Sequence, residues 1–170
     1  MSLTRREVLA AMAATLVMPK TLLAAGSNTG EMTWERAVLA IHSNQGPHRL
    51  EVEVAKSFAQ RGRGLMDRDA LDPDSGMLFL YRRPQPPRMG FWMFRTRIPL
   101  DIAFIGEDGS ILNIATMAPC ASSDPNHCPV THAGVTYIAA LEVNAGYFAE
   151  HGIAVGDCVV LPGREGMCQF

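Results

Sequence analysis

The sequence predicts an all-β domain, a jelly-roll-like antiparallel sandwich or barrel with one or two short helices, and three observations carry that expectation. Apolar and charged residues alternate at period 2 in Leu50-Glu51-Val52-Glu53-Val54, the pattern of a strand with one wet face. Short apolar runs, about eight of them, recur at spacings of roughly 8 to 20 residues, as in sandwiches and small barrels. Turn chemistry stands between the runs at Asn44-Gln45-Gly46-Pro47, Asp72-Pro73-Asp74-Ser75-Gly76 and Glu107-Asp108-Gly109-Ser110, where Asp-Gly is the strongest two-residue hairpin signal.

Taken in order, Val38 to Ile41 and Leu50 to Val54 form a hairpin across the first turn. Ser57 followed three residues later by Gln60 is a capping-box start for a short helix, which Gly62 and Gly64 keep short. Met77 to Tyr81 is a compact strand. Arg82 to Arg88, with Pro84, Pro86 and Pro87, predicts an exposed extended loop, because proline removes ladder donors. Phe91 to Phe94, Ile102 to Ile105 and Ile111 to Met117 supply further strands. Ala118 to Gly134 predicts a long irregular loop, Tyr137 to Val143 a strand, Ala145 to His151 two helical turns stopped by Gly152, and Cys158 to Leu161 a last strand. No internal repeat is present.

At 170 residues, 48% hydrophobic and 19% charged, the chain has the size of one domain with a real core. Its first residues differ in kind. Arg5-Arg6 precede a weakly apolar run from Leu9 to Met18, then Pro19, Lys20 and the small residues Ala24-Ala25-Gly26. This predicts a twin-arginine-like signal over residues 1–26, cut after Gly26, with Val8 and Ala10 departing from the usual motif. The alternative is a retained anchor, for which 10 to 15 apolar residues are about a turn or more short of the roughly 20 a span needs. A linker over 27–36 and a single β domain over 37–170 follow, with no span in the mature chain and a periplasmic or secreted location.

Removing residues 1–26 leaves 12 of 15 basic and 16 of 17 acidic side chains, a net charge of −4, which argues against nucleic-acid binding. Cys120, Cys128, Cys158 and Cys168 then lie in an oxidising compartment, where an even count reads as two disulfides. Pairing by nearness joins Cys120 to Cys128 and Cys158 to Cys168, one of three possible connectivities.

The chemistry concentrates in Phe91 to Ile105, FWMFRTRIPLDIAFI. Trp92, Arg95, Arg97 and Asp101 each carry a polar group that needs a partner once it leaves water. Arg82, Arg83, Arg88, Arg95 and Arg97 form a basic run with no acid between Gly76 and Leu100, suited to an anionic ligand or simply to a solvated loop. Asp101 and Glu142 sit in apolar runs. They are either a general acid and base sharing a cleft, or structural carboxylates paired with groups such as Arg61 and Arg63. Met66, Met77, Met89 and Met93 offer thioethers for copper but more usually fill core gaps. Cys120, His127, Cys128 and His132 are zinc ligand types without paired C-x-x-C spacing. No G-x-S-x-G, phosphate loop, H-E-x-x-H or dinucleotide fingerprint occurs, so catalytic residues are not assigned and the reading leans away from an enzyme.

Several of these segments recur together in a known series. Arg61-Gly62-Arg63-Gly64-Leu65-Met66, Gly76-Met77-Leu78-Phe79, Phe91-Trp92-Met93 with Thr96, Pro99, Leu100, Asp101, Ile102 and Phe104, then Leu141-Glu142 with Ala145-Gly146, and Gly156-Asp157 resemble the motifs of the domain of unknown function 192 family. The resemblance covers about residues 50 to 161. It implies a jelly-roll-like β fold, often secreted, and no established activity. Members of that family usually carry Asn before the Thr that matches Thr96, where this chain has Arg95.

The function expected is a binding module for a small anionic or carbohydrate-like ligand of the cell envelope, with Arg63, Trp92, Arg95, Thr96, Arg97, Asp101 and Glu142 as the ligand-binding set and no cofactor or metal. Trp92 supplies a stacking face, Arg95 and Arg97 the anion contacts, Asp101 an orienting acceptor. The alternatives are an envelope polysaccharide hydrolase using Asp101 and Glu142, and a copper- or zinc-binding periplasmic protein. The oligomeric state is left open.

Overall fold

Nine strands and two short helices order along the chain in the computed structural model, which describes residues 32–164 together with 166 and 168. The signal expected over 1–26, and residues 27–31 of the linker, lie outside the described residues. The described residues fall in one unit, Met32–Phe170.

β1 (Glu35–Ser43) and β2 (Gly46–Ala55) form the hairpin that the period-2 pattern predicts, and pair with Leu39 opposite Leu50. β1 starts two residues inside the stretch read as linker. Leu39, Ile41, Leu50, Val52 and Val54 point inward, while Val38 is exposed. Ser57 then caps α1 (Phe58–Arg63): its hydroxyl accepts from the Gln60 amide, and the Gln60 side chain accepts from the Ser57 amide in return.

β3 (Ser75–Gln85), β4 (Gly90–Trp92), β5 (Leu100–Ile105), β6 (Ile111–Met117), β7 (Val130–His132), β8 (Tyr137–Asn144) and β9 (Cys158–Val160) complete the strands, with α2 at Tyr147–Glu150. Seven strands make one sheet in the order β6-β5-β8-β3-β2-β1-β9, and β4 and β7 make a small ribbon. The architecture is sandwich- or barrel-like. It is not purely antiparallel, however, because β2 and β3 run parallel, joined by a crossover through α1 and residues 64–74. Only a connection of this length permits a parallel pair.

The two ends of the sheet approach each other without a closing ladder. Ser110 bridges Cys158, the Ile111 amide donates to the Asp157 carbonyl at 2.7 Å, and the Val159 amide to the Gly109 carbonyl at 2.8 Å. Gly109, at φ +85°, lets this seam form: an added Cβ would lie 2.8 Å from the Val159 carbonyl oxygen and 3.0 Å from the Cys158 Sγ.

β3 corrects the proline-loop expectation, because it runs on through Arg82, Arg83 and Pro84. Proline is tolerated there since ladder pairing with β8 ends at Leu80 and resumes only at Gln85, across a register shift. The loop expected over 118–134 also contains structure: a 3-10 turn at Pro125–His127 capped by Asp124, and β7. Both expected disulfides are formed, Cys120–Cys128 and Cys158–Cys168.

Candidate functional site

β5 and β8 lie side by side at the middle of the sheet, and all six residues of β5 are buried. Their register decides what the two buried carboxylates can do. Asp101 is opposite Val143, and Glu142 is opposite Ile102. Successive side chains on a strand alternate faces, and cross-strand partners share one. Asp101 and Glu142 therefore project from opposite faces of the sheet. The paired acid–base arrangement that a hydrolase reading requires is not formed, and that expectation is corrected.

Asp101, 3% exposed, works for the fold. One carboxylate oxygen accepts from the Thr116 hydroxyl at 2.7 Å, and the other from the Gly146 amide at 2.8 Å. Gly146, at φ +89°, turns the chain into α2. This fixes β6, β5 and the start of α2 to one another.

Glu142 faces the other way, into a crevice of about 30 Å³ whose walls are Arg61 to Met66, Phe79, Phe91, Trp92 and Thr96. The family-like motifs, scattered over some eighty residues of sequence, meet here. Glu142 and Thr96 are both 5% exposed. Neither side chain has a hydrogen-bond or ion-pair partner among the described residues. Among those residues no fully sealed side-chain nitrogen or oxygen lacks a partner, so both groups keep access to the crevice. Burial pushes the Glu142 carboxyl up to about 8, with no cation offsetting it. Near pH 7 it is a neutral acid with an O–H to donate.

The nearby guanidiniums are engaged elsewhere. Arg61 donates to the Lys56 and Leu80 carbonyls and lies 4.7 Å over the Tyr81 ring. Arg63 reaches Asp67 at 2.9 Å. Asp67 also accepts from Arg95 at 2.6 and 3.1 Å and lies 3.6 Å from Arg97, while Arg97 donates to Asp69 at 2.8 Å. The bond from Arg95, more than any other influence, holds the Asp67 carboxyl below its usual range. The Asp69 carboxylate in turn raises Arg97. Arg95 and Arg97 are thus each ion-paired and are not among the residues that wall the crevice. Asp67 and Asp69 were missed because 28 residues separate each from its arginine. The i,i+4 spacing of Arg63 and Asp67 was the only local signal.

Of the predicted set, then, Arg63, Trp92, Thr96 and Glu142 come together. Trp92 stands at the rim, 45% exposed, its ring 5.5 Å from that of Phe94. A second concavity of about 730 Å³ adjoins the crevice and shares Arg61 and Gly62 with it. Phe58, Tyr81, Arg82, Arg83 and Met89 line it, and sequence reasoning had not singled out Phe58.

The metal readings lose several of their ligands. Cys120 and Cys128 are spent in a disulfide and offer no thiolates. Met77 and Met93 fill the core, while Met89 is exposed. Among the described residues no three His, Cys, Asp or Glu groups gather as a metal site.

A family model described as uncharacterized ACR, DUF192, matches residues 39–161. The chain belongs to the DUF192 family. Two crystal structures are similar to it. One, from Sinorhizobium meliloti and described as a "putative transcription regulator", is 32% identical over 77% of this chain and 97% of its own, with a TM-score of 0.68. The other, a protein of unknown function from Novosphingobium aromaticivorans, is 35% identical over 74% of this chain and 85% of its own, with a TM-score of 0.64. No curated protein matches the chain.

Proposed function

We propose that this DUF192 domain is an exported binding module for a small anionic or carbohydrate-like ligand of the cell envelope. The observation that carries the reading is the pair of buried, unpartnered polar side chains, Glu142 and Thr96, open to one crevice under Trp92. A buried polar group without a protein partner costs free energy unless something else satisfies it. The crevice holds about as much as a water molecule or one polar group of a larger ligand. A neutral Glu142 donates its proton to an incoming carboxylate or hydroxyl oxygen, the Thr96 hydroxyl supplies a second bond, and Trp92 offers its face to a sugar ring.

Export is supported by the Arg5-Arg6 start of the chain, and two disulfides suit a periplasmic or secreted location. The test is a titration of the protein with neutral sugars and with uronic acids, followed by tryptophan fluorescence and calorimetry. Saturable binding is expected from at least one of these classes, weakened at least tenfold by Thr96→Val and by Trp92→Ala. Absence of binding across both classes, or binding indifferent to both substitutions, overturns the reading.

A further inference from the structure

The concavity beside the crevice has a chemistry of its own. It is lined by four cationic side chains, Lys56, Arg61, Arg82 and Arg83, and by no carboxylate. Lys56 is held by Glu35 and Arg61 by backbone carbonyls, but Arg82 and Arg83 have no ion pair among the described residues. Both are exposed, on the length of β3 between its last regular β8 partner at Leu80 and the resumption at Gln85. In a chain whose formal charge is −2, this is a locally positive surface.

The same concavity carries large apolar side chains in water. Phe58 is 87% exposed and Met89 44%. Phe58 is no frayed end: it is the first residue of α1, whose backbone the Ser57–Gln60 capping box fixes, and its ring stands in water. Cations alone suit any anion. Cations flanked by an outward aromatic and a methionine suit a surface that is charged on top and apolar beneath.

We infer that this face docks on an anionic phospholipid surface, with Arg82 and Arg83 against lipid phosphates and Phe58 and Met89 entering the interfacial layer. Charge complementarity and the apolar flank select the lipid surface over a free phosphate or a purely polar glycan, which have no use for Phe58. Docking of this kind sets the mouth of the adjoining crevice close to the membrane, and it stands whether or not the crevice takes a sugar.

The experiment is sedimentation of the full chain with vesicles of phosphatidylcholine, with and without phosphatidylglycerol. The N-terminal segment, itself basic and apolar, adds partitioning common to every variant, so the partitioning left in an Arg82→Ala, Arg83→Ala double variant is subtracted before the ratios are taken. Partitioning is expected to need phosphatidylglycerol, to fall about fivefold for each of Arg82→Ala and Arg83→Ala, and to collapse in high salt. Phe58→Ser with Met89→Ser is expected to lower it severalfold at unchanged melting temperature. Equal binding to both vesicle types, or arginine variants that partition like the parent, overturns the inference. So does displacement by glycerol phosphate at concentrations that leave ionic strength unchanged, which makes the face a small-anion site.

Discussion

Asp67 and Arg95 hold each other twice, through backbone and side chains. The Asp67 amide donates to the Arg95 carbonyl at 2.7 Å, and the Arg95 guanidinium returns a fork to the Asp67 carboxylate. Both residues are left-handed, at φ +63° and +58°. Among non-glycine residues Asp and Asn adopt this conformation most readily. An Asn at position 95, as the resemblance implies for other members, is therefore explained by backbone geometry without invoking a ligand, and Arg95 keeps that geometry while adding an ion pair.

Arg95→Asn is accordingly expected to melt within a few degrees of the parent, since it keeps the left-handed preference and loses only an exposed fork. Arg95→Val forces a β-branched residue into the same conformation, at a cost of about 1–2 kcal/mol. Thermal denaturation of the two variants decides it: equal losses would show that the fork, not the backbone, is what matters at this position.

The second prediction concerns Asp101, whose two oxygens tie Thr116 to the Gly146 amide. Hydrogen bonds to a buried carboxylate contribute about 1.5–3 kcal/mol each, and truncation also strands both donors. Asp101→Ala should lose roughly 3–5 kcal/mol in urea denaturation, and Asp101→Asn less. Ligand affinity, measured well below the new melting point, should barely change, because Asp101 faces away from the crevice. A variant that folds normally but binds nothing would move Asp101 back into the site.

How much of this was legible in the sequence follows from what is local. The β1–β2 hairpin was readable from alternating Leu50 to Val54, α1 from Ser57 and Gln60, and the disulfides from cysteine spacing. Parallel β2–β3 pairing was not, since nothing in either strand records its neighbour. The same blindness hid β7, three residues long, and made Asp101 and Glu142 look like partners. Two residues in adjacent strands share a face only if the register says so, and here a one-residue offset separates them. The crevice itself was half visible. Trp92 stood out for its polar group and Glu142 as a carboxylate in an apolar run, while Thr96 entered only with the family-like motif and Asp67 lay too far along the chain to be connected with Arg95.

Glu142 supplies a signature in pH. Its carboxyl titrates near 8 in the folded chain, against an ordinary value of 4.5, and desolvation is the cause. Between those two values the native state holds more protons than the unfolded chain, so stability falls as pH rises. The loss begins just above the unfolded value, grows through the window and levels off above the folded one. A shift of that size corresponds to roughly 3–5 kcal/mol. Glu142→Gln is neutral at every pH and lacks this slope. Urea denaturation of parent and variant at about pH 5 and about pH 9 isolates the Glu142 contribution, because every other titrating group is common to both. The parent should lose stability relative to the variant by that amount on going from the acid to the alkaline condition. Parallel behaviour would mean that the carboxylate is already charged and held by a partner, and the proton that Glu142 offers to a ligand would then not exist.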